Sequence, residues 1–130
     1  MTAKQRAFLA VGGGLLSIVL TTPLFAHHAN AAYDTSKTVT VKGTVTKWQL
    51  INPHSGLWIE VKSAQGPVQV WSGEFGGTLD LFRSFRWTKN TFKLGDEVTM
   101  VGNPARDGGT AMYTTKIIFA DGKEVVVAGA

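Results

Sequence analysis

Hydrophobic and polar residues alternate along most of the chain after residue 37, with the period of two that is typical of half-buried β-strands. The clearest run predicts a first strand at residues 38–46, in which the valines share one face and the threonines the other. Trp48 and Leu50 lie on the opposite parity. Because a single inserted residue reverses the parity of a strand, we expect a bulge or sharp bend near residues 43–47, where Gly43 would permit it.

The rest of the chain predicts further strands and one short helix. We expect strands at residues 57–62, 68–72, 97–102 and 111–119. Between the third and fourth strands the period changes, which predicts a helix at residues 79–85 with Thr78 as its N-cap. Asp121-Gly122 is a strong hairpin signal that leads into a final short strand at residues 124–127.

Three strands, a short helix and two strands follow one another in the order of an OB-fold, the five-stranded Greek-key barrel. The predicted class is therefore all-β: a small, OB-fold-like β-barrel with one short helix between strands 3 and 4. A bulged first strand fits, because that strand must bend to pair at both ends of the barrel. An open meander sandwich with the helix as a plug is the alternative. The barrel domain is placed at residues 38–128, after an extended segment at residues 27–37.

The beginning of the chain has the pattern of an export signal. Lys4 and Arg6 precede a long uncharged, largely apolar stretch. We expect a signal peptide at residues 1–26, cut after Ala26, and a periplasmic or secreted protein. The small residues at 29–31 favour a competing cut after Ala31. An uncleaved membrane anchor is a third alternative, since the apolar stretch is long enough to span a bilayer.

Removal of this leader changes the charge of the protein. The chain has 13 basic and 9 acidic residues, and without Lys4 and Arg6 the basic residues fall to 11, which lowers the formal charge from +4 to +2. So small an excess argues against nucleic acid as a partner. The chain has no cysteine, which excludes thiolate catalysis and Cys-ligated zinc. No nucleophile or phosphate-loop motif is present, and we expect no enzymatic activity.

The three histidines of the chain lie near the predicted cleavage site, at His27 and His28, and in a predicted turn, at His54. His27 becomes the first residue if the signal is cut after Ala26, and His54 lies in an Asn-Pro-His turn between strands 1 and 2. An N-terminal His chelates Cu(II) through its amine and Nδ1, and further imidazoles complete the coordination. Copper or another divalent metal at His27, His28 and His54 is therefore a hypothesis, conditional on that cut. The alternative is that these are solvated polar residues.

An OB-fold binds its ligands on the face of strands 2 and 3, between the loops joining strands 1 to 2 and 4 to 5. Trp58 and Trp71 have matching parity on neighbouring strands, and together they could form a stacking platform for single-stranded nucleic acid. The alternative, which we prefer, is that the tryptophans belong mostly to the core. Glu74 could lie near the barrel mouth, but we interpret it as a solvated turn residue. The candidate ligand-binding residues are Asn52, His54, Trp58, Trp71, Asn103 and Arg106.

A set of ordered motifs resembles a family of small exported bacterial proteins that is catalogued as a numbered domain of unknown function. These motifs are Ala26-His27-His28, Tyr33-Asp34, Val41-Lys42-Gly43-Thr44-Val45, Asn52-Pro53-His54, Trp87-Thr88, Leu94-Gly95-Asp96-Glu97-Val98-Thr99 and Gly102-Asn103-Pro104-Ala105-Arg106-Asp107-Gly108. The resemblance implies a periplasmic or secreted β-barrel-like domain with no established activity, and it favours the cut after Ala26. The chain departs from the family pattern at Ala29, Asn30 and Ala32, where the family has Ser, Phe and an acid.

We therefore interpret the chain as an exported, non-enzymatic OB-like binding domain. Its expected partner is an unknown small ligand or an envelope protein, with membrane contact only through the signal segment before cleavage. A module that binds single-stranded nucleic acid or another polyanion is one alternative function, and a structural or interaction protein of the envelope is another.

Overall fold

The computed structural model describes residues 31–128. The predicted signal peptide, the cut after Ala26, and His27 and His28 lie outside the described residues and stay predictions. Within residues 31–128, no helix is both long and apolar enough to cross a membrane. The elements are β1 (Val39–Gln49), β2 (Gly56–Val61), β3 (Gln69–Glu74), α1 (Thr78–Phe85), β4 (Glu97–Pro104), β5 (Ala111–Phe119) and β6 (Glu124–Val126).

Strand β1 pairs with two different neighbours because it bends near its middle. Its first half pairs antiparallel with β4, and its second half pairs antiparallel with β2. The register with β2 shifts between Val45 and Lys47, which confirms the predicted bulge. At the bend, a Cβ atom on Gly43 would lie 2.3 Å from the backbone oxygen of Glu60. Only glycine therefore allows the two strands to approach so closely.

The sheet closes on itself through β3 and β5. Antiparallel pairs join β2 to β3, β4 to β5 and β5 to β6. Residues 72–74 of β3 then run parallel to residues 111–113 of β5. The result is a closed five-stranded β-barrel extended by the short β6, with one helix between the third and fourth strands. The predicted OB-like fold is confirmed, and the closure excludes the open meander sandwich.

Aromatic side chains make up much of the core. Trp48 contacts Phe75 and Phe92 edge to face, with ring centroids 5.8 Å and 4.9 Å apart. Trp87 is 5% exposed and contacts Trp48 with ring centroids 6.1 Å apart. Such edge-to-face contacts add to the stabilisation from apolar burial. Trp48 and Trp87 thus belong to the core, as we expected for most of the tryptophans.

Helix α1 begins at Thr78, and its N-cap is Gly77 rather than the predicted Thr78. The backbone N–H and the hydroxyl of Thr78 donate to Oδ1 of Asn52, at 2.9 Å and 3.0 Å. Free N–H groups at a helix start need an acceptor, which usually comes from the preceding residue. Here the acceptor comes from the loop between β1 and β2, which local sequence rules do not detect.

Candidate functional site

A groove with a volume of about 430 Å³ lies on the outer face of β2 and β3, beside the loop at residues 50–55. Leu57 and Ile59 of β2 are fully buried. Because successive side chains of a strand point to opposite faces, Trp58 between them points outward into this groove. This is the face on which OB-folds bind their ligands. The groove is lined by Tyr33, Ile51, His54, Ser55, Gly56, Trp58, Ser72, Gly73 and Glu74.

A hydrogen bond between His54 and Glu74 lies in the groove. The carboxylate oxygen Oε1 of Glu74 accepts from Nδ1 of His54. The side chains of His54 and Glu74 are 42% and 30% exposed. Since a carboxylate is only an acceptor, the neutral imidazole carries its proton on Nδ1 and keeps a lone pair on Nε2. The pair therefore fixes both the orientation of the ring and the nitrogen that can bind a ligand.

Tyr33 completes a chain of three side chains. Its hydroxyl donates to Oε2 of Glu74 at 2.7 Å, and its ring packs against Tyr113 with centroids 6.1 Å apart. Burial raises the pKa of Tyr33 well above its ordinary value, and the hydrogen bond and negative charge of Glu74, with the charge of Asp107, raise it further. The phenol is therefore a protonated donor at neutral pH, and both oxygens of Glu74 are occupied.

Backbone hydrogen bonds hold the segment that carries Tyr33 against the end of β4. The N–H of Asp34 donates to the carbonyl of Pro104 at 2.8 Å. The N–H of Arg106 donates to the carbonyl of Ala32 at 2.9 Å. Because Tyr33 lies between these two bonds, the polypeptide that precedes β1 passes beside the groove. The side chain of Arg106, a predicted ligand-binding residue, is exposed and does not line the groove.

A tight turn connects this segment to β1 and involves another predicted site residue. Asn103 donates from Nδ2 to the carbonyl of Lys37 at 2.8 Å. In the same turn the hydroxyl of Ser36, followed by Lys37, lowers the pKa of Asp34 to about 2. Asn103 lies in β4 rather than in the predicted loop, and it does not line the groove. Its role in the structure is to anchor the turn.

Ser55 sets the shape of the loop that carries His54. It is 1% exposed, and its hydroxyl donates to the carbonyl of Ile51 at 3.1 Å and accepts the N–H of Ile51 at 3.3 Å. Its own N–H donates to the carbonyl of Gly76 at 3.0 Å. The loop is thereby closed at its base and tied to the segment after β3. His54 is the neighbour of a buried, fully bonded residue, which restricts where its ring can lie.

Trp58 and Trp71 lie on opposite faces of the sheet. The register of β2 and β3 pairs Trp58 with Ser72, and it pairs Trp71 with the fully buried Ile59. Directly opposite residues of paired strands share a face, so Trp71 points inward and packs against the core. The two-tryptophan platform is therefore excluded, and Trp71 fits the preferred interpretation, in which the tryptophans belong mostly to the core. The sequence does not determine the register across the turn at residues 63–67, and a shift of one residue there exchanges the inner and outer faces of β3.

Trp58 is the one tryptophan that lines the groove. Its ring lies directly over Gly56, where a Cβ atom would be only 2.6 Å from the ring. Nζ of Lys47 lies 4.5 Å from the ring centroid, a cation–π contact. The ring is thus fixed between a glycine and a lysine on the same outer face.

Of the predicted ligand-binding residues, the groove brings together only His54 and Trp58. Asn52 instead binds the start of α1. The groove also contains residues that the sequence did not single out as ligands, namely Tyr33 and Ser55. Glu74 is the last residue of β3 rather than a solvated turn residue, and it binds His54 and Tyr33. Among residues 31–128, no group of three or more His, Asp or Glu side chains could hold a metal ion.

The closed barrel and its groove define the protein as a small OB-like domain with a ligand-sized depression on the face of β2 and β3. The chain belongs to a family described as "Family of unknown function (DUF6152)", whose sequence profile matches residues 15–114. The predicted membership of a numbered family of unknown function is thus confirmed.

Two further comparisons complete this picture. No curated protein matches the sequence significantly. Among solved structures, the chain is similar to the mitochondrial single-stranded DNA-binding protein Rim1 from S. cerevisiae, with 8% sequence identity and a TM-score of 0.47. That similarity covers 65% of this chain and 93% of the other.

Proposed function

We propose that this protein is an exported, non-enzymatic domain that binds Cu(II) or another divalent transition metal with His54, His27 and His28. The observation that carries the proposal is the double role of Glu74. Its two oxygens accept hydrogen bonds from His54 and from Tyr33. The same carboxylate orients one imidazole and fixes the segment that leads back to the other two.

His54 has the hydrogen-bonding arrangement of a metal ligand. A histidine that binds a metal ion usually donates its other ring N–H to a carboxylate or a carbonyl, which fixes the tautomer and makes the ring a better ligand. The bond from Nδ1 of His54 to Glu74 has this form. Nε2 is then the nitrogen available to the metal, and the partly exposed ring can be reached from solvent.

Few residues separate His27 and His28 from Tyr33 in the sequence. His28 precedes Tyr33 by five residues. Five residues of extended chain span at most about 18 Å. Since Tyr33 and His54 both bind Glu74, the residue from which this distance is counted lies next to the groove. A short, backbone-anchored segment raises the effective concentration of these ligands at His54.

The proposed ligands favour Cu(II) over other divalent metals. The proposed ligands are an α-amine and imidazoles, with no thiolate, because the chain has no cysteine. Nitrogen ligands suit Cu(II), which also stands at the top of the affinity order for divalent metals. The amine exists at this position only if the signal peptide is cut after Ala26. The proposal therefore includes export and this cut.

The nucleic-acid alternative receives less support. Single-strand binders combine several stacked aromatics with a basic groove. Here Trp58 is the one tryptophan in the groove, and the neighbouring acid is Glu74.

The test is calorimetric titration of Cu(II) into protein purified from the periplasm, after intact mass has shown that it begins at His27. We expect one Cu(II) per protein, and much weaker binding for His54→Gln. Glu74→Gln should bind about 10- to 100-fold more weakly, which is the usual effect of removing the partner of a metal-binding histidine. Glu60→Gln is the matched control, since Glu60 lies on β2 outside the groove. Equal affinity of the wild type and His54→Gln would overturn the proposal.

A further inference from the structure

A second surface combines exposed apolar side chains with positive charge, and we call it the α1 face. It consists of Leu79, Phe82, Arg83, Arg86 and Lys89. Leu79 is 53% exposed and Phe82 is 45% exposed. A shallow depression of about 420 Å³ lies between the helix and the segment after it, and it contains Leu79, Phe82 and Lys89.

The core of the barrel does not use the apolar residues of this face. Leu81 is 1% exposed and lies in the core, and Phe85 also packs against the core. Leu79 and Phe82 are one helical turn apart on the outer side. Large apolar side chains grouped at the surface mark interaction sites in soluble domains. The two residues are therefore available to a partner.

The charge of the surrounding segment indicates what kind of partner fits. Residues 78–93 contain four basic residues and one acid, a formal charge of +3. Since the chain without its leader has a formal charge of +2, the remainder is slightly acidic. The guanidinium of Arg86 lies 5.3 Å from the ring centroid of Phe82, so positive charge directly borders the apolar pair. The partner must offer negative charge next to apolar surface.

We propose that the α1 face docks the protein on a membrane that contains anionic phospholipids. Leu79 and Phe82 enter the interfacial region, while Arg83, Arg86 and Lys89 bind lipid phosphates. Peripheral proteins bind anionic membranes by burying apolar side chains at the interface and by electrostatic attraction between basic residues and lipid phosphates, and the α1 face supplies both. Membrane contact is then a property of the folded domain, beyond the signal segment. This proposal does not depend on metal binding.

The test is co-sedimentation of the protein that begins at His27 with vesicles of phosphatidylcholine, alone or mixed with phosphatidylglycerol. We expect binding to the mixed vesicles, weakened by salt, and little binding to the neutral ones. Arg83→Gln with Lys89→Gln should bind about 30-fold more weakly, from the typical contribution of each basic residue near an anionic surface. Leu79→Ser with Phe82→Ser should also lose binding.

Controls separate docking from general effects of charge and folding. Lys62→Gln with Lys123→Gln removes the same charge at exposed positions outside the α1 face, and it should bind like the wild type. Circular dichroism establishes that each variant is folded, and the Arg83 and Lys89 variant keeps every apolar contact. Binding of that variant equal to the wild type would overturn the proposal. So would binding to soluble polyglutamate but not to vesicles, which would indicate an acidic protein partner.

Discussion

Glu74 accepts hydrogen bonds from Tyr33, 41 residues earlier, and from His54, 20 residues earlier. It lies at the end of β3, where the sheet closes against β5. Three segments that are distant in sequence thus meet at one partly exposed carboxylate. Because hydrogen bonds to a charged group are stronger than neutral ones, we expect this residue to contribute to stability.

We expect Glu74→Gln to lower the free energy of unfolding by about 1–2 kcal/mol, somewhat less than the usual contribution of bonds to a charged group, because the site is partly exposed. The amide has one acceptor oxygen and cannot accept from both donors equally well. Urea denaturation measures the change. Glu60→Gln makes the same substitution elsewhere on the outer side of β2 and should change stability by less than about 0.5 kcal/mol. Equal stability of the two variants would contradict the role of Glu74.

Tyr33 should ionise at a higher pH than an ordinary tyrosine. Because its folded pKa lies above the ordinary value of about 10, its contribution to stability is complete below that pH and is lost as pH rises through the folded pKa. Absorbance titration at alkaline pH should show a late-ionising phenol. Tyr33→Phe should remove it, and Tyr113→Phe should retain it. An ordinary titration of Tyr33 would contradict the hydrogen bond to Glu74.

At the scale of elements, the loop between β1 and β2 serves two sites through different residues. His54 faces the groove, while Asn52 accepts from Thr78 at the start of α1. Asn52→Ala should cost about 1 kcal/mol of unfolding free energy, the usual value for losing a helix-capping acceptor. Asn52→Asp keeps the acceptor and places negative charge at the helix N-terminus, so it should remain near wild-type stability. Thermal unfolding of the two variants measures the difference. Equal destabilisation by Asn52→Ala and Asn52→Asp would contradict the capping role.

The bend of β1 gives a prediction about pairing. Gly43→Ala places a methyl group against the backbone oxygen of Glu60, which cannot move without breaking the pairing of β1 with β2. We expect a loss of about 1–3 kcal/mol, typical of overpacking. Gly66→Ala is the matched control, because its new methyl group would meet only the hydroxyl of Ser63 in an exposed turn. Chemical denaturation of both variants tests this, and similar stabilities would contradict the close crossing.

The sequence predicts those elements that depend on local patterns. Alternation identified the strands, and the change of parity before Trp48 located the bulge. Contacts between distant segments left no local signal: the acceptor for Thr78 lies in another loop, and Tyr33 reaches Glu74 only after the barrel closes. The face on which Trp71 lies depends on the register between β2 and β3. A difference of one residue in the length of the turn between them would move Trp71 to the other face. His54 could be predicted from its loop, but its partner could not.

At the scale of the whole molecule, the segment before β1 passes beside the groove that the closed barrel presents. Ala32 and Asp34 bind the end of β4 and the residues after it through the backbone, and Tyr33 binds Glu74 between them. The fold thus holds residues 32–34 beside the groove. Whether the protein begins at His27 or at Ala32 should therefore decide whether it has a metal site.

The most direct measurement compares Cu(II) affinity, by calorimetry, of the protein that begins at His27 with that of the protein that begins at Ala32. Both retain Tyr33, Glu74 and His54, so the fold and the orientation of His54 are the same. We predict that the shorter protein loses more than the 10- to 100-fold affinity that a positioning residue typically contributes. Its affinity should fall to about that of a single exposed histidine. Equal affinity of the two proteins would contradict it, because the N-terminal histidines would then not be ligands.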